Sequence, residues 1–347
     1  MSKHLVTGSS GFLGSAIVKK LSRLGHEVVS IDVIEDIEIS KISSFFKVDI
    51  SEKNYDYKKI FSGVKAVHHN AALVPLTKAG DNFNKVNVIG TENILKVSIE
   101  NDVDHFSHMS SSAIFGKPKK NQNVNYNEYN PTSIYGKSKY LAELEVIKVF
   151  NNKEKKFKSC SIIRPRPVVG KGRLGIFEIL FDWVIDNKKI PIIGSGNNRF
   201  QFAHIDDLVD VSIETAEKNI SGIFNIGTDN YRTLKEDLNL SFEKIGSKSK
   251  VLPLPETICI PSLYILDKFN LSPLSSWHYL SYNWNFFYDL EKTFKLLEWR
   301  PKYSNSEMIV EAFNWYKENR EQINLKGSSH RSKVKQQFLK FIKSSLL

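Results

Sequence analysis

A phenol and an ammonium four residues apart share one face of a helix, and such a pair can exchange a proton with an alcohol. Residues 132–143, TSIYGKSKYLAE, contain one as Tyr135 and Lys139. A free phenol titrates near ~10 and is a weak base at neutral pH, but a neighbouring cation favours its ionised form. Spacing alone does not single this pair out. Five of the 13 tyrosines have a lysine at i+4: Tyr55/Lys59, Tyr135/Lys139, Tyr231/Lys235, Tyr264/Lys268 and Tyr288/Lys292. The position of each pair in the chain must decide between them.

A second group with chemistry lies at the start. TGSSGFLG puts Gly8, Gly11 and Gly14 between an apolar run, residues 3–7, and a helical pattern carried by Phe12, Leu13, Ile17, Val18 and Leu21. Glycines there allow a tight turn, close approach of backbone to a pyrophosphate, and close helix–strand packing, with free N–H groups of the helix facing the anion. Asp32 follows 18 residues after Gly14, at the end of a second apolar run, where a carboxylate accepts hydrogen bonds from ribose hydroxyls. A carboxylate there repels a 2′-phosphate, and no arginine follows to bind one. The pattern therefore favours NAD over NADP.

The elements that position these groups alternate. Strands are predicted at 3–7, 27–31, 45–48, 64–68, 105–109, 161–163 and 223–226, with helical stretches between them, notably 83–99 and 136–150. Strands separated by helices imply a parallel sheet covered on both faces. The 347 residues, 41% hydrophobic and 25% charged, suit a globular chain of one or two domains. Two cysteines, Cys160 and Cys259, give neither a disulfide framework nor metal-ligand spacing, so no metal is expected and a reducing cytoplasm fits. No apolar run reaches the ~18 residues of a membrane span. The net charge of +11 is uneven: from residue 322 onward there are six Lys or Arg and no acid, leaving about +5 for the rest. A basic tail alone does not indicate nucleic acid, and none is expected as a partner.

Taken in order, these stretches resemble the extended short-chain dehydrogenase/reductase family, the group of NAD-dependent nucleotide-sugar epimerases and dehydratases. TGSSGFLG resembles its nucleotide loop and Asp49-Ile50 its adenine-reaching pair. HNAA (69–72), NVIGTEN (87–93), SSSAIFG (110–116), YGKSK, Arg164-Pro165, HIDDLVD (204–210), NIG (225–227) and WRPKYS (299–304) resemble its later motifs. The resemblance covers roughly residues 3 to 320. It implies a Rossmann-type, doubly wound parallel sheet with a smaller, discontinuous C-terminal substrate-binding lobe. The expected division is an NAD-binding domain of 1–165, rejoined by 201–228, a lobe of 166–200 and 229–321, and a basic tail of 322–347.

The resemblance also assigns roles. Tyr135 lies 24 residues beyond Ser111, a setting that the other four tyrosines lack. Tyr135 is implied as acid/base, Lys139 as its tuner and ribose anchor, and Ser111 as orienter of the substrate oxygen; Ser110 and Ser112 are its neighbours in the motif. NAD contacts are implied for Gly8, Ser10, Gly11, Phe12, Leu13, Gly14, Asp32, Asp49, Ile50, Asn70, Ala71, Ala72, Asn87, Tyr135, Lys139 and Arg164. The implied chemistry is proton loss from a substrate C–OH to Tyr135 with hydride transfer to NAD+.

The chain departs from the family in places. Pro167, in RPRPVVG, occupies the position of an asparagine that often holds a nucleotide diphosphate. In NNRFQFAHIDD, Arg199 stands one position early and Phe200 takes the usual arginine's place. Ser112, Arg166, Arg173 and Arg199 are the expected substrate contacts. The SSS motif lacks the acids of dehydratases, which favours an epimerase. The aromatic stretch 251–288 is expected to supply part of a cap. It motivates an alternative, a 3β-hydroxysteroid-dehydrogenase-like reaction on a hydrophobic alcohol; a non-catalytic dinucleotide sensor is a minor one. His204 is expected to pack. A homodimer through the helices near 83–99 and 136–150 is expected. In the tail, Val334, Phe338, Phe341 and Ile342 form one apolar face opposite lysines, which suits packing, disorder or peripheral contact with an anionic membrane.

Overall fold

A computed structural model describes residues 1–53, 55–75, 79–118, 128–152, 157–173, 176–269, 274 and 276–326. The basic amphipathic segment 331–347 lies outside them. Seven parallel strands form the main sheet: β1 Lys3–Thr7, β2 Glu27–Asp32, β3 Ser44–Lys47, β4 Ala66–His69, β5 His105–Met109, β6 Ser159–Pro165 and, from much later in the chain, β10 Gly222–Ile226. Their order is β10-β6-β5-β4-β1-β2-β3. The predicted strands recur here with shifted ends; β4 starts at Ala66 rather than at 64, because Val64 closes a turn onto Phe61. Two small pairs complete the chain: β7 Val168–Val169 with β9 Ala203–His204, and β8 Ile190–Ile193 with β11 Val251–Leu254.

The strand order sets the site. The direction of progress reverses at β1, where β2 and β3 lie to one side and β4, β5 and β6 to the other. A cleft opens beyond the strand C-termini at such a switch point. Helix Phe12–Arg23 leaves β1 directly into it. A Cβ on Gly14 would lie 2.0 Å from the Gly8 carbonyl oxygen, so only glycine lets this helix start so close to its strand. Helix Ile134–Asn151 is capped by Ser133, whose hydroxyl accepts from the Gly136 N–H at 3.0 Å. Gly136 passes so near the Ala113 carbonyl that a Cβ would sit 2.5 Å from it. This contact brings the start of that helix against the serine loop after β5.

The stretch 83–99 is not one regular helix. Asn82–Asn84 leads into a wide turn, Lys85–Ile89, of the i to i+5 type, before the α-helix Gly90–Glu100. Such bulges re-aim one side chain. Here the side chain is Asn87.

The sheet buries imidazoles where parallel strands usually carry aliphatic residues. His4 Nδ1 and His68 Nε2 are 3.0 Å apart, His68 Nδ1 meets Ser212 Oγ at 2.9 Å, and His105 Nδ1 meets Ser159 Oγ at 2.6 Å. Burial, with His26 adding repulsion, lowers the His4 pKa to about 4. In the unfolded chain an imidazole titrates near ~6.5, so as pH falls the unfolded state binds protons first. Stability is fully present above that value and is lost between it and about pH 4. His4 alone is expected to cost on the order of 3 kcal/mol across this window. Urea midpoints at pH 7 and pH 4.5 check it; equal midpoints would rule out this account of the imidazole layer.

Candidate active site

The cleft has a volume of about 680 Å³, toward the upper part of the range for ligand sites, roughly 300–1,000 Å³. Gly8, Gly11, Phe12, Leu13 and Gly14 line its floor at the N-terminus of helix Phe12–Arg23. Asp32 lines it from the end of β2. Its carboxylate accepts the Ser10 N–H at 3.0 Å and the Ile34 N–H at 3.1 Å, and burial raises its pKa while these bonds oppose the rise. Ser10 thus acts through its backbone on Asp32; its hydroxyl donates to the Ile34 carbonyl at 2.6 Å. Asp49 and Ile50 line the cleft beyond β3, with Asp49 Oδ1 held by Ser51.

Asn70, Ala71 and Ala72 form the wall after β4. The Thr7 hydroxyl oxygen accepts from both the Asn70 and Ala71 N–H groups at 3.1 Å, which ties the ends of β1 and β4 together. These residues fit a dinucleotide: open helical N–H groups without a side chain in the way, a carboxylate at the ribose position, and small residues on the opposite wall. Replacing Gly14 with valine, Gly14→Val, puts a side chain into the Gly8 backbone. A loss of about 1–3 kcal/mol is expected from overpacking, together with weakened dinucleotide affinity. Urea unfolding and fluorescence titration with NADH check both; wild-type affinity would remove the loop from the binding site.

At the other end stand the candidate catalytic groups. Ser111 caps the short turn Ser112–Phe115 after β5 and stands beside the Tyr135 phenol, whose ionised form it favours. Its two neighbours face elsewhere. The Ser110 hydroxyl donates to Glu143 Oε2 at 2.5 Å, while Ser112 faces Tyr288. Both nevertheless line the cleft, as do Tyr135 and Lys139. The Tyr135 ring packs edge-on against Phe83.

The electrostatics around the phenol differ from the expectation. Burial raises the Tyr135 pKa, and the groups that pull it back are Ser111 and Arg173. Lys139 Nζ instead donates to the Met109 carbonyl at 2.5 Å, and burial lowers its pKa to about 8. The cation that favours the Tyr135 phenolate is Arg173, contributed by the turn after β7. Motif spacing pairs the lysine with the tyrosine, but a strand-end carbonyl within reach captures the ammonium.

Besides Ser10, three expected contacts lie outside the cleft lining. Arg164 is wholly buried behind it, paired with Glu143 and hydrogen-bonded to the Tyr129 hydroxyl at 2.6 Å. Asn87 holds the wall rather than a ligand. Its Oδ1 accepts the Leu73 N–H at 2.7 Å, and its amide donates to the Leu73 carbonyl and the Ser138 hydroxyl. Arg199 is exposed, its guanidinium over the Tyr231 and Phe287 rings. Arg166 and Arg173 do line the cleft.

The aromatic stretch 251–288 reaches the cleft with only some of its described residues. Helix Glu256–Lys268 buries none of its residues, and Ile258, Ile265 and Phe269 are exposed. From this stretch, His278 and Tyr282 are the described residues that line the cleft. Sequence reasoning had not separated these two from their neighbours, since nothing local distinguishes them. His204 packs as expected: buried, it accepts from the Asp206 N–H and meets Glu311 at 2.7 Å. Among the described residues no group of three or more His, Cys, Asp or Glu is placed to hold a metal, and no described helix is long and apolar enough to cross a membrane.

Known proteins resemble this chain in sequence and in fold. The family model for the NAD dependent epimerase/dehydratase family matches residues 4–227. An uncharacterized protein, y4nG, of Sinorhizobium fredii is 37% identical over 99% of this chain and 86% of its own. A putative UDP-glucose 4-epimerase of Methanocaldococcus jannaschii is 30% identical over 91% of this chain and 98% of its own. Among solved structures, MoeE5 in complex with UDP-glucuronic acid and NAD has a TM-score of 0.74 at 20% identity, covering 92% of this chain and 100% of that one. A UDP-glucose 4-epimerase from Thermotoga maritima, solved with UDP-glucose, has a TM-score of 0.73 at 23% identity, covering 92% and 99%.

Proposed function

The chain belongs to the NAD dependent epimerase/dehydratase family, and from that premise we propose that it is an NAD-dependent epimerase acting on a secondary alcohol of a nucleotide sugar. The observation that carries the reading is that Ser111, Tyr135 and Lys139 line one cleft with the glycine loop and Asp32. NAD is the cofactor, and when bound it supplies reversible hydride transfer. The loop Gly8–Gly14 would hold its pyrophosphate, and Asp32 its adenosine ribose.

The protein's own part is proton handling and orientation. Tyr135 Oη takes the proton of the substrate hydroxyl and returns it. Ser111 Oγ holds the substrate oxygen against the phenol. Arg173 favours the ionised phenol, so the base does not rest on Lys139 alone. Lys139, held at the Met109 carbonyl, is left to anchor the cofactor ribose.

Epimerisation is favoured over dehydration by the placing of acids. Elimination of water needs a carboxyl or an equivalent acid near the sugar. Among the described lining residues the acids are Asp32 and Asp49, which follow β2 and β3, far across the sheet from Ser111. The reading on a hydrophobic alcohol loses part of its support, because helix Glu256–Lys268 buries none of its residues. A pure sensor has no use for a serine, a tyrosine and a lysine gathered in the dinucleotide cleft.

The proposal extends to a cytoplasmic protein with its cysteines unpaired, and to a homodimer formed through helices Gly90–Glu100 and Ile134–Asn151. The test is incubation of the purified protein with NAD+ and nucleotide sugars, followed by NMR of the sugar protons. Interconverted epimers are expected. A 4-keto-6-deoxy product would make it a dehydratase, and oxidation of a sterol alone would overturn the reading.

A further inference from the structure

The two ends of the cleft carry opposite charge. Lys85, Lys139, Arg166 and Arg173 line the end near β5 and β6, whereas the lining acids Asp32 and Asp49 follow β2 and β3. Four strand spacings separate β6 from β2, roughly 19 Å at the usual inter-strand distance. The acids are therefore too far away to neutralise Arg166, and among the described residues no acid acts on Arg173.

Arg166 is 1% exposed. Its Nε donates to the Gln201 carbonyl at 3.2 Å, but both Nη atoms are buried without a hydrogen-bond partner. Its guanidinium is held by the rings of Phe286, at 3.8 Å, and Phe200, at 4.9 Å. Burial without a carboxylate lowers its pKa to about 10. Arg173 follows seven residues later. Its guanidinium lies 5.6 Å from the Phe12 ring of the glycine loop, and its buried Nε has no partner. Tyr282 stands close to both arginines.

A buried guanidinium with unmet N–H groups is costly, and a planar fork of donors matches a carboxylate or a phosphate. The position of Arg173 separates these two. It lies 5.6 Å from the Phe12 ring and lines the same cleft as Tyr135, on whose phenol it acts electrostatically, which puts it on the side of the reacting hydroxyl. A ligand group that meets Arg173 while its alcohol meets Tyr135 belongs to the sugar ring itself.

We infer that Arg173, backed by Arg166, forms a carboxylate site beside Tyr135, so that the preferred substrate is an acidic nucleotide sugar. This rests on the nucleotide-sugar reading above. Arg173 then sets specificity for the acidic sugar and gathers charge around the phenol in one place.

The test compares UDP-glucuronate with UDP-glucose on the NAD-loaded protein, by kcat/KM and by calorimetric Kd. The acidic sugar is expected to be favoured by roughly 30-fold or more, the effect of one buried charge pair. Arg173→Gln is expected to collapse that ratio, with NADH titration showing that the variant is folded. Arg173→Lys is expected to restore part of it. Equal kcat/KM for the two sugars would overturn the inference and leave the nucleotide-sugar reading intact. Equal weakening by Arg173→Gln for UDP alone and for UDP-glucuronate would assign the arginine to the diphosphate and also overturn it. Turnover of neither sugar, with a hydrophobic alcohol oxidised instead, would overturn both. If Arg173→Gln does not fold, the wild-type comparison still decides.

Discussion

Tyr135→Phe is expected to lower kcat by about 10²–10⁴-fold, the contribution of a positioned acid/base. The substitution removes the phenol hydroxyl beside Ser111 and leaves the ring to pack on Phe83. Dinucleotide binding should remain measurable by fluorescence, because the glycine loop and Asp32 are untouched. The wild-type rate has a further signature. Burial raises the phenol's pKa above its ordinary value, and Arg173 and Ser111 oppose the rise. As a base the phenol works deprotonated, so oxidation of the alcohol should quicken as pH rises toward that value. Arg173→Gln should move this limb to higher pH, and Tyr135→Phe should abolish it. A variant that keeps both rate and limb would end the proposed mechanism.

Glu143→Ala is expected to destabilise the fold by about 3–5 kcal/mol, the cost of stranding one member of a buried ion pair. Arg164 and Glu143 are 0% and 1% exposed, and no water can take over the guanidinium's bonds. The Arg164 ring contacts, Phe115 and Tyr129, do not replace a carboxylate. Since Ser110 also donates to Glu143, the loss should spread to Ser111 next to it and reduce activity in the surviving folded protein. Replacing both members, Glu143→Leu with Arg164→Met, should recover much of the stability, since no charge is then left unpaired. Urea unfolding of the three proteins measures this. A loss below about 1 kcal/mol for Glu143→Ala would show that the pair is not the anchor of the serine loop.

These two residues illustrate what a sequence carries. The glycine loop, Asp32, Ser111 and Tyr135 were legible because each depends on chain direction: a strand ends, the backbone turns, and the next residue must face the cleft. Arg164 and Asn87 were misread for the complementary reason. Both sit in the right motifs, but their side chains point behind the wall, and motif position does not encode that direction. Asn87 also lies in a wide turn that periodicity cannot distinguish from an ordinary helix. Arg173 carried the least local signal of all. Its place near Tyr135 brings the turn after β7 to the start of helix Ile134–Asn151, segments more than thirty residues apart. The aromatic stretch 251–288 divides: Phe286 and Tyr288 are buried and His278 and Tyr282 line the cleft, whereas helix Glu256–Lys268 buries none of its residues.

The late arrival of β10 has a consequence for how the protein is made. All seven residues of β6 are buried in the finished sheet, and one of its edges is covered by β10, joined from Ser161 opposite Gly222 to Pro165 opposite Ile226. Until the ribosome has passed residue 226, that edge presents unpaired amides to any strand it meets. A nascent chain stalled near residue 200, or a gene truncated there, would expose a template for aggregation in place of an enzyme. Synthesis beyond β10 is thus a condition for solubility as much as for the chemistry at the other side of the sheet.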